Sequence, residues 1–160
     1  MSNNLKISYI EYSPATNSLD IFMCGCTAPH CKGCYNEELW DFNAEGISSN
    51  ECWQEIVNLN HRFDSLVDRI LILGGEPFDV YSRYPSEFVY FISNIKTTIN
   101  KPIYLFTRYN LEDIPDTLKQ YFDFIKCGRY IPELTTDDNI QEGIKLATSN
   151  QMIYKSGVDY

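Results

Sequence analysis

Four of the six cysteines in this 160-residue chain lie within eleven consecutive residues, and they are Cys24, Cys26, Cys31 and Cys34. Thiolate is a soft ligand that suits iron–sulfur clusters, zinc and copper(I). Cysteines this close in sequence allow one loop to surround one metal centre. The loop is also short and rich in Gly and Pro, which is unlike an ordinary hydrophobic core. The sequence therefore predicts a metal centre in the cysteine loop (residues 24–34).

The cysteine spacing leaves two kinds of centre open. Cys26, Cys31 and Cys34 can supply three thiolates, which leaves one iron of a four-iron cluster free to bind a small molecule. If Cys24 also binds, four thiolates form a structural zinc site. A single Gly separates Cys24 from Cys26, and this gap is shorter than is usual in zinc sites. The loop alone does not decide between iron–sulfur and zinc.

A second motif, Gly74-Gly75-Glu76-Pro77, directly follows a continuous apolar run. Consecutive glycines allow a ligand to approach the backbone closely, and a glutamate carboxylate can accept hydrogen bonds from a ligand ammonium group. The motif is weak by itself, because Gly-Gly before Pro is also an ordinary turn. Combined with the cysteine triplet it favours an iron–sulfur enzyme over a zinc-stabilised binding module.

Composition and charge narrow the class of protein. The chain is 44% hydrophobic and carries a net charge of −9, which argues against nucleic acid or an anionic membrane as a partner. No apolar run reaches the ~18 residues of a membrane span, and no signal peptide is recognisable. We therefore expect a cytoplasmic protein with reduced thiols, so that a disulfide framework is disfavoured. Residues 1–160 should form a single domain.

The hydrophobic pattern predicts an α/β fold. Predicted strands cover residues 5–12, 18–23, 69–73, 103–106, 122–126, 144–147 and 152–155. One predicted helix begins near residue 48, and two others cover residues 85–99 and 113–121. A helical turn is predicted over residues 35–40 and a loop over 132–142. The alternation of strand and helix indicates a mostly parallel sheet. The chain is too short for a closed eight-unit barrel of ~250 residues, so we expect an open partial (β/α) barrel.

Four loops each follow a predicted strand directly. They are the cysteine loop, residues 74–77, residues 107–109 and residues 127–128, and we call them the strand-end loops. In parallel α/β folds the carboxyl ends of the strands lie at one edge of the sheet and build the ligand site. The four loops should therefore meet in space.

These motifs resemble the radical S-adenosylmethionine enzymes, on the cysteine triplet followed by Tyr35-Asn36 and on residues 74–77. More narrowly, the chain resembles the activating component of the anaerobic (class III) ribonucleoside-triphosphate reductase. The narrower resemblance spans about residues 19 to 154. It rests on Gly25-Cys26, Trp40-Asp41-Phe42, Thr107-x-Tyr109, Gly128-Arg129-Tyr130-Ile131 and Ser149-Asn150-Gln151.

The resemblance implies two cofactors, a [4Fe–4S] cluster and S-adenosylmethionine. It implies that one-electron reduction cleaves S-adenosylmethionine and that the 5′-deoxyadenosyl radical generates a glycyl radical on the large reductase subunit, with a reduced flavodoxin-type protein as electron donor. The resemblance implies no catalytic base among the side chains, because the cofactor supplies the species that abstracts hydrogen. The implied ligands of the cluster are Cys26, Cys31 and Cys34. The implied contacts of S-adenosylmethionine are Gly33, Cys34, Tyr35, Gly74, Gly75, Glu76, Ser149 and Asn150.

The chain departs from that family's usual pattern at three places. Four residues (27–30) separate the first two cysteines where the family usually has three, which keeps Cys24 open as an alternative first ligand. Arg108 stands where the family often has Gly, and Cys127 where it often has Asp. Two rival functions also stay open: another small radical S-adenosylmethionine enzyme, either a different activase or a small-molecule synthase, and a non-catalytic zinc-binding module.

Overall fold

The computed structural model describes residues 4–160, and in that part of the chain a seven-stranded sheet carries the fold. The strands in this part of the chain, including two outside the sheet (β7 and β8), are β1 (Lys6–Ser13), β2 (Ser18–Met23), β3 (Ile47–Ser48), β4 (Arg69–Gly74), β5 (Ile103–Phe106), β6 (Phe124–Cys127), β7 (Ile140–Gln141), β8 (Ile144–Lys145) and β9 (Met152–Lys155). The helices are α1 (Trp53–Arg62), α2 (Pro77–Arg83), α3 (Pro85–Thr98) and α4 (Asp116–Lys119). Short 3₁₀ turns occur at Glu37–Leu39, Leu111–Asp113 and Pro132–Leu134.

The sheet has the strand order β3-β1-β2-β4-β5-β6-β9, and β7 and β8 form a separate hairpin. Its centre is parallel, because β2, β4, β5 and β6 pair in parallel. Its edges are antiparallel: β1 pairs with β2 and β3, and β9 pairs with β6. The predicted α/β class is confirmed, whereas the sheet is mixed. The turn from β1 to β2 is too short for a crossover, so that pair must be antiparallel.

Both faces of the central strands are covered. Ile70 and Ile72 of β4 belong to the main core with the helices, while Leu71 packs on the opposite face with Ile144 and Leu146 near the β7–β8 hairpin. Burial on both faces explains why β4 is a continuous apolar run without alternation. The predicted bounds of β2, β5 and β9 agree with the structure.

The helices differ from the prediction where local turns intervene. α3 ends one residue before the predicted end and buries the expected stripe, which includes Phe88 and Ile92. α1 begins at Trp53, because Ser48 belongs to β3 and its amide and hydroxyl groups bond the Glu51 carboxylate in the preceding turn. Pro115 splits the predicted 113–121 helix. No helix within residues 4–160 is long and apolar enough to span a membrane.

Two further segments were predicted wrongly or missed. Residues 132–142 were predicted as a loop but contain a 3₁₀ turn and β7. α2 was not predicted, although its start has clear chemistry: Pro77 occupies the first turn and the Glu76 carboxylate accepts the Phe78 amide as an N-cap. α2 follows β4 at once and therefore begins at the edge of the sheet where the strand-end loops lie.

Candidate metal centre and ligand cavity

The four strand-end loops meet around one cavity of about 210 Å³, as the sequence predicted. Each loop contributes to its lining, because the parallel strands β2, β4, β5 and β6 all end at this edge of the sheet. The predicted cluster ligands and cofactor contacts that line it are Cys26, Cys31, Cys34, Tyr35, Gly74, Gly75 and Glu76. The arrangement is a concave site built from loops on a rigid sheet.

The three cysteines of the predicted cluster lie at the cavity, and Cys24 lies elsewhere. Cys24 is buried in a separate apolar cluster with Phe22 and Leu39. Backbone hydrogen bonds fix this division, since the amides of Gly25 and Cys26 donate to the carbonyls of residues 39 and 40. Within residues 4–160, no three His, Cys, Asp or Glu side chains are grouped so as to hold a single metal ion.

Burial controls the chemistry of Cys26. Desolvation raises the pKa of its thiol to about 12, while the nearby Arg108 guanidinium opposes that rise. Cys26 is therefore a protonated thiol in the metal-free protein at neutral pH. Iron must displace this proton when it binds, because the thiolate is the ligand form.

Residues 27–30, the long segment between Cys26 and Cys31, are held by side chains from other loops. Asp79 of α2 accepts hydrogen bonds from the amide and the hydroxyl of Thr27, both at 2.9 Å. The Arg108 guanidinium donates to the carbonyls of Thr27 and Pro29, both at 2.7 Å. His30 stacks on Trp40, with 3.8 Å between the ring centroids. The segment is therefore fixed at three of its four residues.

The glycine pair brings the backbone of residues 74–76 against the cysteine loop. The amide of Gly75 donates to the Met23 carbonyl at 2.9 Å, and the amide of Glu76 donates to the Gly25 carbonyl at 2.6 Å. A Cβ on Gly75 would lie 2.3 Å from the Gly25 carbonyl oxygen. The two glycines are therefore required by this backbone contact, whether or not a ligand also approaches them.

Glu76 is buried and already bonded. Its carboxylate accepts the Phe78 amide at 3.0 Å, the Thr107 hydroxyl at 2.6 Å and the Arg108 amide at 2.8 Å. Burial raises the pKa of Glu76, and these three donors oppose the rise. A carboxylate offers about four lone-pair sites, so three protein donors leave room for one further donor from the cavity.

Three of the predicted S-adenosylmethionine contacts lie outside the cavity lining, namely Gly33, Ser149 and Asn150. All three residues are exposed. The Asn150 side chain is engaged within the protein, where its amide donates to the Arg129 carbonyl at 2.9 Å. The neighbouring Gln151 does line the cavity, and it is buried.

Lys126 lines the cavity from the end of β6 and was not predicted from the sequence. Its ammonium group donates to the Gly128 carbonyl at 3.3 Å and lies over the Phe106 ring. Burial lowers the pKa of Lys126, and the Glu76 carboxylate opposes that change. A lysine in the predicted strand 122–126 carried no signal of this placement, because the strand pattern alone does not show which residue ends at the site.

The site defines a class of protein: three cysteines and a Gly-Gly-Glu segment meet at the carboxyl edge of an α/β sheet, which is the donor set of an iron–sulfur protein. The sequence matches the model of a family described as 4Fe-4S single cluster domain over residues 18–154. The chain belongs to this family, and an iron–sulfur cluster is the cofactor that the family supports.

Two curated relatives agree with this membership. The chain is 26% identical over 164 aligned positions to a Haemophilus influenzae protein, covering 93% of this chain and 98% of the relative. It is 28% identical over 120 positions to a Vibrio cholerae protein, covering 71% and 74%. Both relatives are named anaerobic ribonucleoside-triphosphate reductase-activating protein. These names agree with the narrower resemblance that the motifs gave.

Proposed function

We propose that this protein activates an anaerobic ribonucleoside-triphosphate reductase by reductive cleavage of S-adenosylmethionine. The observation that carries the proposal is the meeting of Cys26, Cys31 and Cys34 with residues 74–76 in one cavity. Three thiolates would leave one iron of a [4Fe–4S] cluster open, and the Gly-Gly-Glu segment lines the same cavity. The names of the two relatives support the reductase as the partner.

The residues at the cavity fit both groups. The three cysteines supply the soft donors of a cluster, and Cys24 packs outside the cavity. The one lone-pair site that Glu76 retains suits the ammonium group of S-adenosylmethionine, and the Lys126 cation suits its carboxylate. When bound, the cluster supplies an electron that cleaves S-adenosylmethionine to methionine and a 5′-deoxyadenosyl radical, which takes a hydrogen atom from a glycine of the reductase. The protein's part is to position these groups and to limit access of water.

We propose that the chain forms a single domain of the radical S-adenosylmethionine type, an open partial (β/α) barrel with the parallel strands β2, β4, β5 and β6 at its centre. The protein works in the cytoplasm and takes its electron from a reduced flavodoxin-type protein. Gly33, Tyr35, Ser149 and Asn150 contact S-adenosylmethionine.

The test is activation of the large reductase subunit encoded in the same genome. The protein is reconstituted anaerobically with iron and sulfide, reduced, and mixed with the reductase and S-adenosylmethionine. We expect the electron paramagnetic resonance signal of a glycyl radical. Cys26→Ser should abolish the signal, whereas Cys52→Ser, a buried cysteine outside the cavity, should retain it. A reconstituted iron–sulfur protein that gives no radical on the reductase would contradict the proposal.

A further inference from the structure

Arg108 connects two of the strand-end loops. Its Nη1 donates to the Pro29 carbonyl at 2.7 Å, and its Nη2 donates to the Thr27 carbonyl at 2.7 Å. Its backbone amide donates to the Glu76 carboxylate at 2.8 Å. Arg108, in the loop after β5, therefore fixes both residues 27–30, which lie between two predicted cluster ligands, and the Gly-Gly-Glu segment.

Asp79 of α2 also binds Arg108, and we call the Arg108–Asp79 pair together with the Thr27 and Pro29 carbonyls the clamp. The Oδ2 of Asp79 accepts Nη2 of Arg108 at 3.0 Å and both donors of Thr27, and its Oδ1 accepts the Tyr109 hydroxyl at 2.6 Å. The side chains of Arg108 and Asp79 are 7% and 6% exposed, so the ion pair is almost completely buried. A buried ion pair seldom adds net stability, because desolvation offsets the attraction. Its value here lies in holding the geometry of the loops.

The same ion pair lies beside the predicted cluster. Arg108 lines the cavity together with Cys26 and Cys31, and its guanidinium interacts electrostatically with Cys26. The Nε of Arg108 is buried and has no hydrogen-bond partner in the described part of the chain. Nη1 and Nη2 donate to the carbonyls of Pro29 and Thr27, whereas the Nε–H is a buried donor that lacks an acceptor.

We propose that Arg108, paired with Asp79, is a positioning residue that sets both the shape of the Cys26–Cys31 segment and the reduction potential of the cluster. The inference rests on the proposed function, because it takes these cysteines as cluster ligands. The charged guanidinium donors Nη1 and Nη2 of Arg108 hold the loop carbonyls, while its positive charge at the cavity favours the electron-rich, reduced cluster. Asp79 has the opposite charge and partly offsets that effect.

The first test needs no cluster. Hydrogen–deuterium exchange is measured on the reduced, metal-free protein, with Arg108→Lys, Arg108→Gln and the exposed Arg62→Gln as a matched control. A lysine cannot reach both carbonyls and Asp79 at once. We expect faster exchange at the amides of residues 27, 28, 30 and 31 in both Arg108 variants and no change in the control. Unchanged exchange at these residues in both Arg108 variants would overturn the clamp.

The second test measures the cluster's reduction potential by anaerobic titration of the reconstituted proteins. We expect Arg108→Gln to lower the equilibrium constant for one-electron reduction about tenfold, a shift of about 59 mV to more negative potential. Asp79→Asn should shift the potential in the opposite direction, and Arg108→Lys should retain most of the charge effect. General loosening of the loop does not predict shifts of opposite sign. Shifts of the same sign, or none, would overturn the electrostatic part.

Failure of the proposed function and failure of the Arg108 inference give different results. If the wild-type protein binds no cluster, the proposed function fails. If the wild-type protein binds a cluster and cleaves S-adenosylmethionine, yet the Arg108 and Asp79 variants match it in exchange and in potential, only this inference fails. Poor iron binding by an Arg108→Gln protein that circular dichroism shows to be folded would support the clamp. The reduction potentials would then be measured on Arg108→Lys and Asp79→Asn.

Discussion

The hydroxyl of Thr107 donates to Oε1 of Glu76 at 2.6 Å, and both residues are buried. This hydrogen bond joins the loop after β5 to the first turn of α2, where the same carboxylate also accepts two backbone amides. Glu76 therefore has a structural role in the ligand-free protein.

Replacing Glu76 with Gln should destabilise the metal-free protein. The amide group of Gln can accept at only one of its two ends, so at least one buried donor loses its partner, most directly the amide of Arg108. Such a loss costs about 1–3 kcal/mol. The free energy of unfolding from urea titration measures it. Glu55→Gln on the exposed face of α1 is the control and should change it by less than about 0.5 kcal/mol. Equal stability of the two variants would contradict the role of Glu76.

Gly75→Ala should disturb the packing of residues 74–76 on the cysteine loop. The new Cβ would lie 2.3 Å from the Gly25 carbonyl oxygen and 2.7 Å from that of Leu39, and backbone atoms cannot easily move aside. We expect a loss of about 1–3 kcal/mol or more in the free energy of unfolding. Gly157→Ala meets no atom within 4 Å and carries only the strain of its positive φ, about 1–2 kcal/mol.

A Gly75→Ala loss no larger than that of Gly157→Ala would show that the backbone contact between the two loops does not constrain residue 75.

Asp20 should make stability depend on pH. Burial raises its pKa from 3.8 to about 6, although the Ser18 hydroxyl donates to it at 2.5 Å. The folded protein therefore binds this proton more tightly than the unfolded chain does. The stabilising effect of protonation is complete below about pH 4 and is lost as the pH rises through about 6. The shift corresponds to at most about 3 kcal/mol.

Asp20→Asn should remove this part of the pH dependence, as measured by thermal unfolding between pH 4 and 7. The exposed Asp68→Asn serves as the control and should keep the wild-type profile. An Asp20→Asn protein with an unchanged profile would show that Asp20 is not the group responsible.

Lys126→Met should weaken binding of S-adenosylmethionine to the reconstituted protein by about tenfold, because it removes an ammonium group that lines the cavity together with Glu76. Equilibrium dialysis under anaerobic conditions measures the affinity. Lys155→Met is the matched control, since Lys155 is exposed on β9 and lies outside the cavity. Equal affinities for the two variants would exclude Lys126 from the binding site.

The sequence predicted the elements that local patterns determine. Apolar runs located the central strands, and the position of each motif after a strand predicted that the loops converge. The sequence did not show the clamp around Arg108, because its partners Thr27 and Pro29 are about 80 residues away in the chain. Lys126 was missed for the same reason, since only the sheet topology decides which strand-end residues face the cavity, and Gln151 was indicated only by the family resemblance.

The choice between Cys24 and Cys26 tests the central claim most directly. Cys24→Ser and Cys26→Ser proteins are reconstituted anaerobically, their iron content is determined, and 5′-deoxyadenosine is measured after reduction with S-adenosylmethionine present. The account predicts that Cys24→Ser keeps the cluster and the product, because Cys24 packs with Phe22 and Leu39, and that Cys26→Ser loses both. Loss of both with Cys24→Ser but not with Cys26→Ser, or a colourless zinc protein that forms no product, would contradict it.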